Sequence, residues 1–295
     1  MLHTIARSMR LPFLVLSPVS VFLGYATASQ DALSMNTMDL FLVLLGALFA
    51  HISVNMFNEY QDYQSGLDAR TTRTPFSGGS GALVDNPDAA VAVLYGALTS
   101  LLLSALVGVY FMSSLGMSIL PLGIIGFLII VTYTRWLNQH PVLCLMAPGI
   151  GFGPLIVLGT HVVLTGEYSI QAGIASLVPF FLSNNLLLLN QYPDIAADKS
   201  VGRRHFPIVY GERKGILLYG NTVMATCGVI VIGISTGIFP ELSVVCLFPM
   251  VGAGTIFFGI ARHGTALSRL LPYLGMNVGV TILTSVFLGL SILYG

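Results

Sequence analysis

Two short segments of the chain place oxygen-bearing side chains four residues apart. Asn58 precedes Asp62 in the first segment, and Asn190, Asp194 and Asp198 follow one another in the second. Residues four apart lie on one face of a helix, so each segment would form a ladder of oxygen ligands one turn apart. Carboxylates placed in this way repel each other unless a cation lies between them, and Mg²⁺ shared with a phosphate is the usual partner. The spacing therefore indicates a site for a divalent cation and a phosphate.

Further polar residues extend the first ladder in both directions. His51 and Asn55 precede Asn58 at helical spacing, and Asp68 follows Asp62 after a short turn. Carboxylates at the edge of an apolar segment are costly, so a functional role is the default interpretation. If the two halves of the chain face each other, we expect the two ladders to converge on one polar mouth.

The segment 71–81 lies close behind the first ladder and is rich in glycine and hydroxyl side chains, with a single base, Arg73. A loop of this composition can present backbone N–H groups to phosphate oxygens, or it can form ordinary turns. It is not a Walker A loop, because no Gly-Lys-Ser/Thr sequence follows it.

Composition defines the class of protein. Hydrophobic residues make up 55% of the chain, charged residues only 8%, and the mean hydropathy is +0.86, whereas about a quarter of the residues in soluble domains are charged. We therefore expect a polytopic membrane protein of the all-α class. Cys144, Cys227 and Cys246 lie in apolar segments without CxxC or histidine spacing, so neither a disulfide framework nor a zinc site is predicted.

Windows of about twenty apolar residues predict nine transmembrane helices in a single domain of residues 1–295. The expected spans are roughly 11–29, 39–57, 89–111, 115–134, 143–164, 170–191, 215–237, 242–261 and 271–293. All twelve bases fall before the first span or in loops that follow even-numbered spans. The positive-inside rule then places the N-terminus in the cytoplasm and the C-terminus outside. Two long cytoplasmic loops, about 59–88 and 193–214, would hold most of the acids.

With both acidic segments in view, the chain resembles the UbiA superfamily of intramembrane aromatic prenyltransferases. The resemblance rests on Asn58-Glu59-Tyr60-Gln61-Asp62 and on Asp194-Ile195-Ala196-Ala197-Asp198. It is most similar to the menaquinone branch, which acts on 1,4-dihydroxy-2-naphthoate. The features that suggest this branch are Asn55-Met56-Phe57-Asn58 leading to Gly66-Leu67-Asp68, the pair Tyr133-Thr134, and the segment 152–160. Glu59, Gly66 and the loop 74–81 depart from the usual pattern of the family.

The resemblance implies Mg²⁺-dependent transfer of a polyprenyl group from a prenyl diphosphate to an aromatic acceptor, in a helical bundle around a central cavity. Asp62, Asp194 and Asp198 would be the catalytic acids, and with Asn58 they would hold the metal, Asp68 and Asn190 being further candidates. The expected contacts to the diphosphate are Arg10, Arg73 and Lys199. The expected lining of the substrate cavity is Asn55, Tyr133, Asn190 and Tyr192.

Other interpretations remain open at this stage. The acceptor could be 4-hydroxybenzoate or another ring, and a secondary transporter is a rival class, although transporters place such acids near the bilayer midplane. Arg203, Arg204, Arg213 and Lys214 would fix the topology against anionic lipid or contact the diphosphate. We expect an integral protein of a bacterial or archaeal cytoplasmic membrane, with its site facing the cytoplasm, membrane lipid around it and no nucleic-acid partner. The oligomeric state cannot be read from the sequence.

Overall fold

The computed structural model describes residues 1–31, 35–263 and 266–295, and every regular element in these ranges is helical. The α-helices are α1 (Leu2–Ser8), α2 (Leu16–Asp31), α3 (Thr37–Gln64), α4 (Ala82–Asp85), α5 (Ala90–Leu115), α6 (Leu120–Thr132), α7 (Pro141–Ile150), α8 (Gly159–Thr165), α9 (Ile170–Asn190), α10 (Ile195–Ser200), α11 (Phe206–Tyr210), α12 (Glu212–Ser235), α13 (Leu247–His263) and α14 (Leu267–Tyr294). The prediction of an all-α chain is confirmed.

Eight helical stretches among the described residues are long and apolar enough to cross a membrane. They are Leu11–Asp31, Thr37–Gln64, Pro87–Thr132, Pro141–Thr165, Ile170–Asn190, Glu212–Ser235, Glu241–Arg262 and Leu267–Tyr294. The prediction of a polytopic membrane protein is therefore confirmed, with eight stretches where nine spans are expected.

The difference in number comes from the third stretch, which contains two of the expected spans. Pro87–Thr132 has 46 residues, and a continuous helix of that length would be about 69 Å long, roughly twice the hydrocarbon thickness of a bilayer. It is interrupted where α5 ends at Leu115, because Gly116 has a φ of 70° and a 3₁₀ turn follows before α6.

Helix α3 carries the first acidic ladder at its C-terminal end. It begins after Asn36, whose side chain accepts a 2.9 Å hydrogen bond from the backbone N–H of Met38. With 28 residues it is about 42 Å long, which exceeds a hydrocarbon core of about 30 Å. Asn58 and Asp62 lie in its last two turns, so the helix delivers them to the membrane boundary.

Helix α5 packs along α3 and fixes its position. The hydroxyl of Ser53 donates to the carbonyl of Ala97 at 2.9 Å, and the hydroxyl of Ser104 donates to the carbonyl of Gly46 at 3.0 Å. A Cβ on Gly46 would lie 3.0 Å from Val107. Small residues and interhelical hydroxyl bonds are the usual means of holding two helices together in a membrane.

Helix α9 carries the second acidic segment and lies in the middle of the bundle. It packs against α7, α12 and α14, and Val178, Leu182 and Leu189 belong to the main hydrophobic core. The helix ends at Asn190 and α10 begins at Ile195, with Asp194 as its N-terminal flanking residue. The expected continuous ladder is thus interrupted by a turn between Asn190 and Asp194.

A π-helix at Gly151–Leu158 connects α7 to α8 and forms one wall of the bundle. Pro154 lies inside it, and a proline lacks the N–H that a regular helix would use. Gly149 and Gly153 bring this wall against α9, where an added Cβ would lie 2.4 Å from the carbonyl of Phe180 and 2.5 Å from that of Ser176. These two glycines therefore serve close packing.

Candidate active site

One large cavity connects the two acidic segments to the interior of the bundle. Its volume is about 750 Å³. The polar end is lined by Asn58, Asp62, Asp68, Asp194, Asp198 and Arg203. The remainder is apolar and extends between α3, α5, α6 and the π-helix to Phe111, Ile119 and Leu120. We refer to it as the main cavity.

Helix α6 forms the outer wall of the main cavity. Ile124, Phe127 and Leu128 of α6 line the cavity, and each is also about half exposed. This helix belongs to a stretch that is long and apolar enough to cross a membrane. The apolar part of the cavity is thus bounded by a helix whose outer face is apolar as well.

Arg203 joins the two acidic segments. Its guanidinium donates to Oδ1 of Asp198 at 2.9 Å and to Oδ1 of Asp62 from a second nitrogen. His205 lies against the other oxygen of Asp198, with 2.8 Å between its Nε2 and Oδ2. The two ladders therefore converge, as expected, and a base lies between them.

Arg203, for which the sequence leaves open a role in topology or a contact to the diphosphate, lies inside the candidate site. Burial lowers the pKa of the guanidinium, but the carboxylates of Asp62 and Asp198 outweigh this and raise the pKa above its usual value. The paired N–H donors of the charged guanidinium fit the oxygens of a carboxylate and also those of a phosphate. Arg203 can therefore exchange one of its two carboxylate partners for a phosphate.

Asp68 and Asp194 lie beside this group and are incompletely paired. Oδ2 of Asp194 accepts a 3.0 Å hydrogen bond from the backbone N–H of Gly78, whereas its Oδ1 and the Oδ2 of Asp68 are buried without a partner among the described residues. Burial, together with the neighbouring charge of Asp62 for Asp68 and of Asp198 for Asp194, raises the pKa of both carboxyls to about 7.

The carboxylate oxygens at the polar end of the main cavity are ligands that suit a hard divalent cation. In the described part of the chain, no three His, Cys, Asp or Glu side chains are already close enough together to form a metal site. Arg203 holds the space between Asp62 and Asp198. Buried carboxylate oxygens without a partner are energetically costly. A cation shared with phosphate would satisfy the free oxygens of Asp68 and Asp194, and Mg²⁺ favours few carboxylates of this kind.

Arg10 enters the site from the other side. It is the described non-glycine residue with a positive φ, 53°, a conformation that L-residues adopt at a cost. Its guanidinium donates to Oδ1 of Asn58 at 3.0 Å, and its Nε is buried without a partner. Asn58 in turn donates to the hydroxyl of Thr134 at 3.2 Å, and Asn55 donates to the carbonyl of Met9 at 3.0 Å.

Glu59, the residue that departs from the family pattern, anchors the glycine-rich loop. Its fully buried carboxylate accepts from the backbone N–H of Ser80 at 3.1 Å, from the Ser80 hydroxyl at 2.5 Å and from the N–H of Ala82 at 3.1 Å. The loop is thereby held against the acids. Gly79 is so close that an added Cβ would lie 2.6 Å from Oδ1 of Asp68.

The remaining predicted site residues divide into two groups. Asn55, Tyr133 and Asn190 line the main cavity. Tyr192 does not: it is buried in the hydrophobic core, and its hydroxyl donates to the carbonyl of Glu212 at 3.0 Å. Lys199 is exposed on α10 and does not contribute to the cavity lining.

Arg73 also lies apart from the acids. It is about one-third exposed and pairs with Asp85 at 3.3 Å, outside the lining of the main cavity. Several lining residues were not singled out from the sequence, namely Arg203, His205, Gln191, Asn138 and Ser183. Of these, only Arg203 and His205 carried a signal, since they are a base and an imidazole that closely follow the second acid motif.

Known proteins resemble this chain in sequence and in fold. Residues 15–294 match the UbiA prenyltransferase family. The chain is 30% identical over 216 residues to the 1,4-dihydroxy-2-naphthoate octaprenyltransferase of Bacillus subtilis, covering 70% of this chain and 67% of that protein. It is 24% identical over 302 aligned positions to the protein of the same name from Haemophilus influenzae, covering 98% and 94%.

Two solved structures share the fold. A digeranylgeranylglyceryl phosphate synthase superposes with a TM-score of 0.70 at 14% identity, over 99% of this chain and 98% of that one. A UbiA homolog from Archaeoglobus fulgidus, bound to DMAPP and Mg²⁺, superposes with a TM-score of 0.67 at 15% identity, over 98% and 99%. The acid-lined cavity thus lies in a shared architecture, and the chain belongs to the UbiA prenyltransferase family and is a membrane prenyltransferase.

Proposed function

We propose that this enzyme transfers a polyprenyl group from a prenyl diphosphate to 1,4-dihydroxy-2-naphthoate with the help of Mg²⁺. The observation that carries the proposal is the meeting of the two acidic segments across Arg203 at the end of a largely apolar cavity. A prenyl chain would enter this cavity from the lipid past α6. The choice of acceptor is supported by the names of two relatives, of which one is 30% identical.

The metal would be held by Asp68 and Asp194, which have free oxygens, and by Asp62 and Asp198 on either side of Arg203, with Asn58 at its margin. Mg²⁺, when bound, neutralises the negative charge that develops on the departing diphosphate. The chain's own bases serve the same end, since Arg10 and Arg203 lie beside these acids and can donate to diphosphate oxygens. Lys199 is exposed, so a contact with the diphosphate would require it to turn inwards.

The main cavity provides the conditions that an allylic cation needs. Its apolar walls exclude water, which would otherwise capture the cation. The ring of Tyr133 and the amide oxygen of Asn190 line the cavity and can stabilise positive charge. The bond from the allylic carbon to the diphosphate oxygen breaks, a bond forms to an electron-rich carbon of the acceptor, and the ring releases a proton.

The proposal includes nine membrane crossings, with Pro87–Thr132 crossing twice by turning at Gly116. The N-terminus and the acid-lined end of the main cavity would then face the cytoplasm of a bacterial or archaeal cell, and the C-terminus would lie outside. The distribution of the twelve bases supports this orientation.

The test is a product analysis with purified protein in lipid vesicles, Mg²⁺ and a labelled prenyl diphosphate. 1,4-Dihydroxy-2-naphthoate and 4-hydroxybenzoate are supplied separately, and lipid products are identified by mass. We expect a prenylated naphthalene product that disappears with EDTA and returns with Mg²⁺. Asp194→Ala serves as the folded, inactive control. Prenylated 4-hydroxybenzoate alone would overturn the acceptor but retain the chemistry.

A further inference from the structure

His205 lines the main cavity beside the second acid motif. Its imidazole is buried, and its Nε2 lies 2.8 Å from Oδ2 of Asp198. Its Nδ1 is buried without a partner among the described residues. Since a carboxylate only accepts hydrogen bonds, we assign the ring hydrogen to Nε2, which donates to Asp198 and leaves Nδ1 as an acceptor.

The backbone fixes where this imidazole lies. His205 directly precedes α11, and its carbonyl accepts from the N–H of Ile208 at 3.1 Å. The N–H of the preceding residue, Arg204, donates to the carbonyl of Asn138 at 3.0 Å. His205 is thus held between α11 and the turn before α7, and its short side chain has few rotatable bonds with which to move away from Asp198.

The two oxygens of Asp198 have partners of different mobility. Oδ1 accepts from Arg203 at 2.9 Å, and the same guanidinium also donates to Asp62. An arginine side chain is long, so this guanidinium can turn from the carboxylates to a phosphate. Oδ2 lies against His205. When Arg203 turns, Oδ1 is released while the hydrogen bond from His205 still fixes the plane of the carboxylate.

The neighbours of Asp198 would otherwise turn its carboxylate away. Asp194 precedes it by one helical turn, and like charges four residues apart repel each other. A second acid, Asp62, lies across Arg203. The helix that carries Asp198, α10, has only six residues. The direction of the carboxylate therefore depends on its hydrogen-bond partners.

We propose that His205 is a positioning residue for the metal site: its Nε2–H holds the carboxylate of Asp198 in place, so that Oδ1 is presented to a divalent cation when Arg203 turns to the diphosphate. This inference rests on the proposed function and deepens it by naming a residue behind the proposed ligands. Hydrogen-bond partners of metal ligands typically change metal affinity by about ten- to a hundredfold. His205 would therefore set the affinity for the cation without contacting it.

The direct test measures metal binding without turnover. The purified full chain in detergent is titrated with Mn²⁺ in the presence of an unreactive prenyl thiolodiphosphate, and free Mn²⁺ is counted by electron paramagnetic resonance. Mn²⁺ serves as the probe because it prefers the same oxygen ligands as Mg²⁺. We expect His205→Ala to weaken binding by about tenfold or more. Equal affinity in His205→Ala and the wild type would overturn the inference.

Two further substitutions identify the nitrogen that matters. In His205→Gln the amide nitrogen can take the place of Nε2 and donate to Asp198, so the affinity for Mn²⁺ should stay close to the wild-type value. In His205→Asn the shorter side chain does not reach Asp198, and the affinity should fall as in His205→Ala. Asparagine is a favourable residue before a helix, so α11 should still begin correctly. The reverse order of affinities would contradict the role of Nε2.

His140→Asn is the matched control. Like His205, His140 directly precedes a helix with a proline in its first turn, but it lies outside the lining of the main cavity. This variant should bind Mn²⁺ like the wild type. A loss as large as that in His205→Asn would indicate a general effect on the fold and would overturn the inference.

A double variant shows whether His205 acts through Asp198. In an Asp198→Asn background, His205→Ala should cause little further loss of Mn²⁺ affinity, because the carboxylate that His205 positions is gone. A further loss of the same size as in the wild-type background would mean that His205 acts independently of Asp198, which contradicts the proposal.

The same titrations distinguish this inference from the proposed function. Wild-type protein that binds no Mn²⁺ would overturn the proposed metal site and this inference with it. Mn²⁺ binding that depends on His205, in a protein that prenylates no acceptor, would refute the proposed function and support the inference.

Discussion

The backbone N–H of Gly78 donates a 3.0 Å hydrogen bond to Oδ2 of Asp194, which joins positions 116 residues apart. The glycine-rich loop after α3 is thereby attached directly to the second acidic segment. Glu59 attaches the same loop to α3 through Ser80 and Ala82. The loop therefore fixes the position of one proposed metal ligand relative to the helix that carries another.

Gly78→Ala should disrupt this attachment. Gly78 has a φ of 81°, and a Cβ there would lie 2.9 Å from the carbonyl of Thr72. Because a strained backbone costs on the order of 1–3 kcal/mol, we expect the loop to shift and prenyl transfer to fall by about tenfold or more. Gly166→Ala is the control, since Gly166 has a φ of 82° but open space around it. Equal activity of both variants would contradict a role for the loop.

Glu59→Gln should lower stability without changing the requirement for metal. The N–H groups of Ser80 and Ala82 donate to different oxygens of Glu59. A glutamine keeps only one acceptor oxygen, so its NH₂ group would face one of these backbone donors, and an unsatisfied buried donor costs about 1–3 kcal/mol. We expect a lower midpoint of thermal unfolding in detergent and an unchanged Mg²⁺ concentration for half-maximal activity. The exposed Asp88→Asn is the control. A large increase in the Mg²⁺ requirement would instead make Glu59 a ligand.

Arg203→Gln should reduce kcat/KM by about a hundredfold or more, because Asp62 and Asp198 lose their common counter-charge and the diphosphate loses a donor. Arg203→Lys should retain part of the activity, since the charge is kept while the bidentate geometry is lost. Arg204→Gln alters the neighbouring, exposed residue and should behave like the wild type. Similar kinetics in Arg203→Gln and Arg204→Gln would indicate that Arg203 serves only to fix the topology.

The affinity for Mg²⁺ should increase with pH across neutrality. The pKa values of Asp68 and Asp194 are raised to about 7 by burial and by neighbouring acids, so at pH 6 these carboxyls hold protons that the metal must displace. Mg²⁺ titrations of activity at pH 6, 7 and 8 should give a falling half-saturation concentration. A constant value across this range would show that neither carboxyl is a ligand.

The raised pKa values of Asp68 and Asp194 also determine whether the metal-free protein becomes more or less stable as the pH rises. A carboxyl whose pKa is raised on folding, here from 3.8 to about 7, contributes stability that is fully present below the lower value and is lost as the pH rises from it through the upper value. With EDTA present, the unfolding midpoint should therefore be higher at pH 6 than at pH 8. In Asp194→Asn the difference between the unfolding midpoints at pH 6 and pH 8 should be smaller. A midpoint that rises with pH under these conditions would contradict the shifts.

The acid residues could be predicted from sequence because their spacing is a local property. Asn58 and Asp62 share one helix, so a distance of four positions translates directly into adjacency. The second ladder was only partly predictable, because the chain turns between Asn190 and Asp194. The local signal for this turn is Pro193, because a proline disfavours the helical conformation in the residue before it, and the expectation of a continuous ladder did not take it into account.

Tyr192 and Lys199 show why proximity in sequence to a motif is a weak guide. Tyr192 lies in the turn, where the change of direction sends its ring into the core. Lys199 directly follows Asp198, and consecutive residues in a helix point about 100° apart, so an inward Asp198 leaves Lys199 outside. Arg203 illustrates the converse: it closely follows the second acid motif, but so do Lys199 and Arg204, and the sequence does not distinguish which of these bases turns inwards.

The proposed entry of the prenyl chain past Ile124 and Phe127 of α6 has a kinetic consequence. A substrate that enters in this way is dissolved in the lipid phase, so the enzyme would respond to its mole fraction in the bilayer and not to its amount per volume of assay. Rates should then fall when inert phospholipid is added at fixed total substrate, as in surface dilution. The membrane would then be the solvent for the prenyl diphosphate and water the solvent for the aromatic acceptor. The effective concentrations of these two substrates could therefore be set independently.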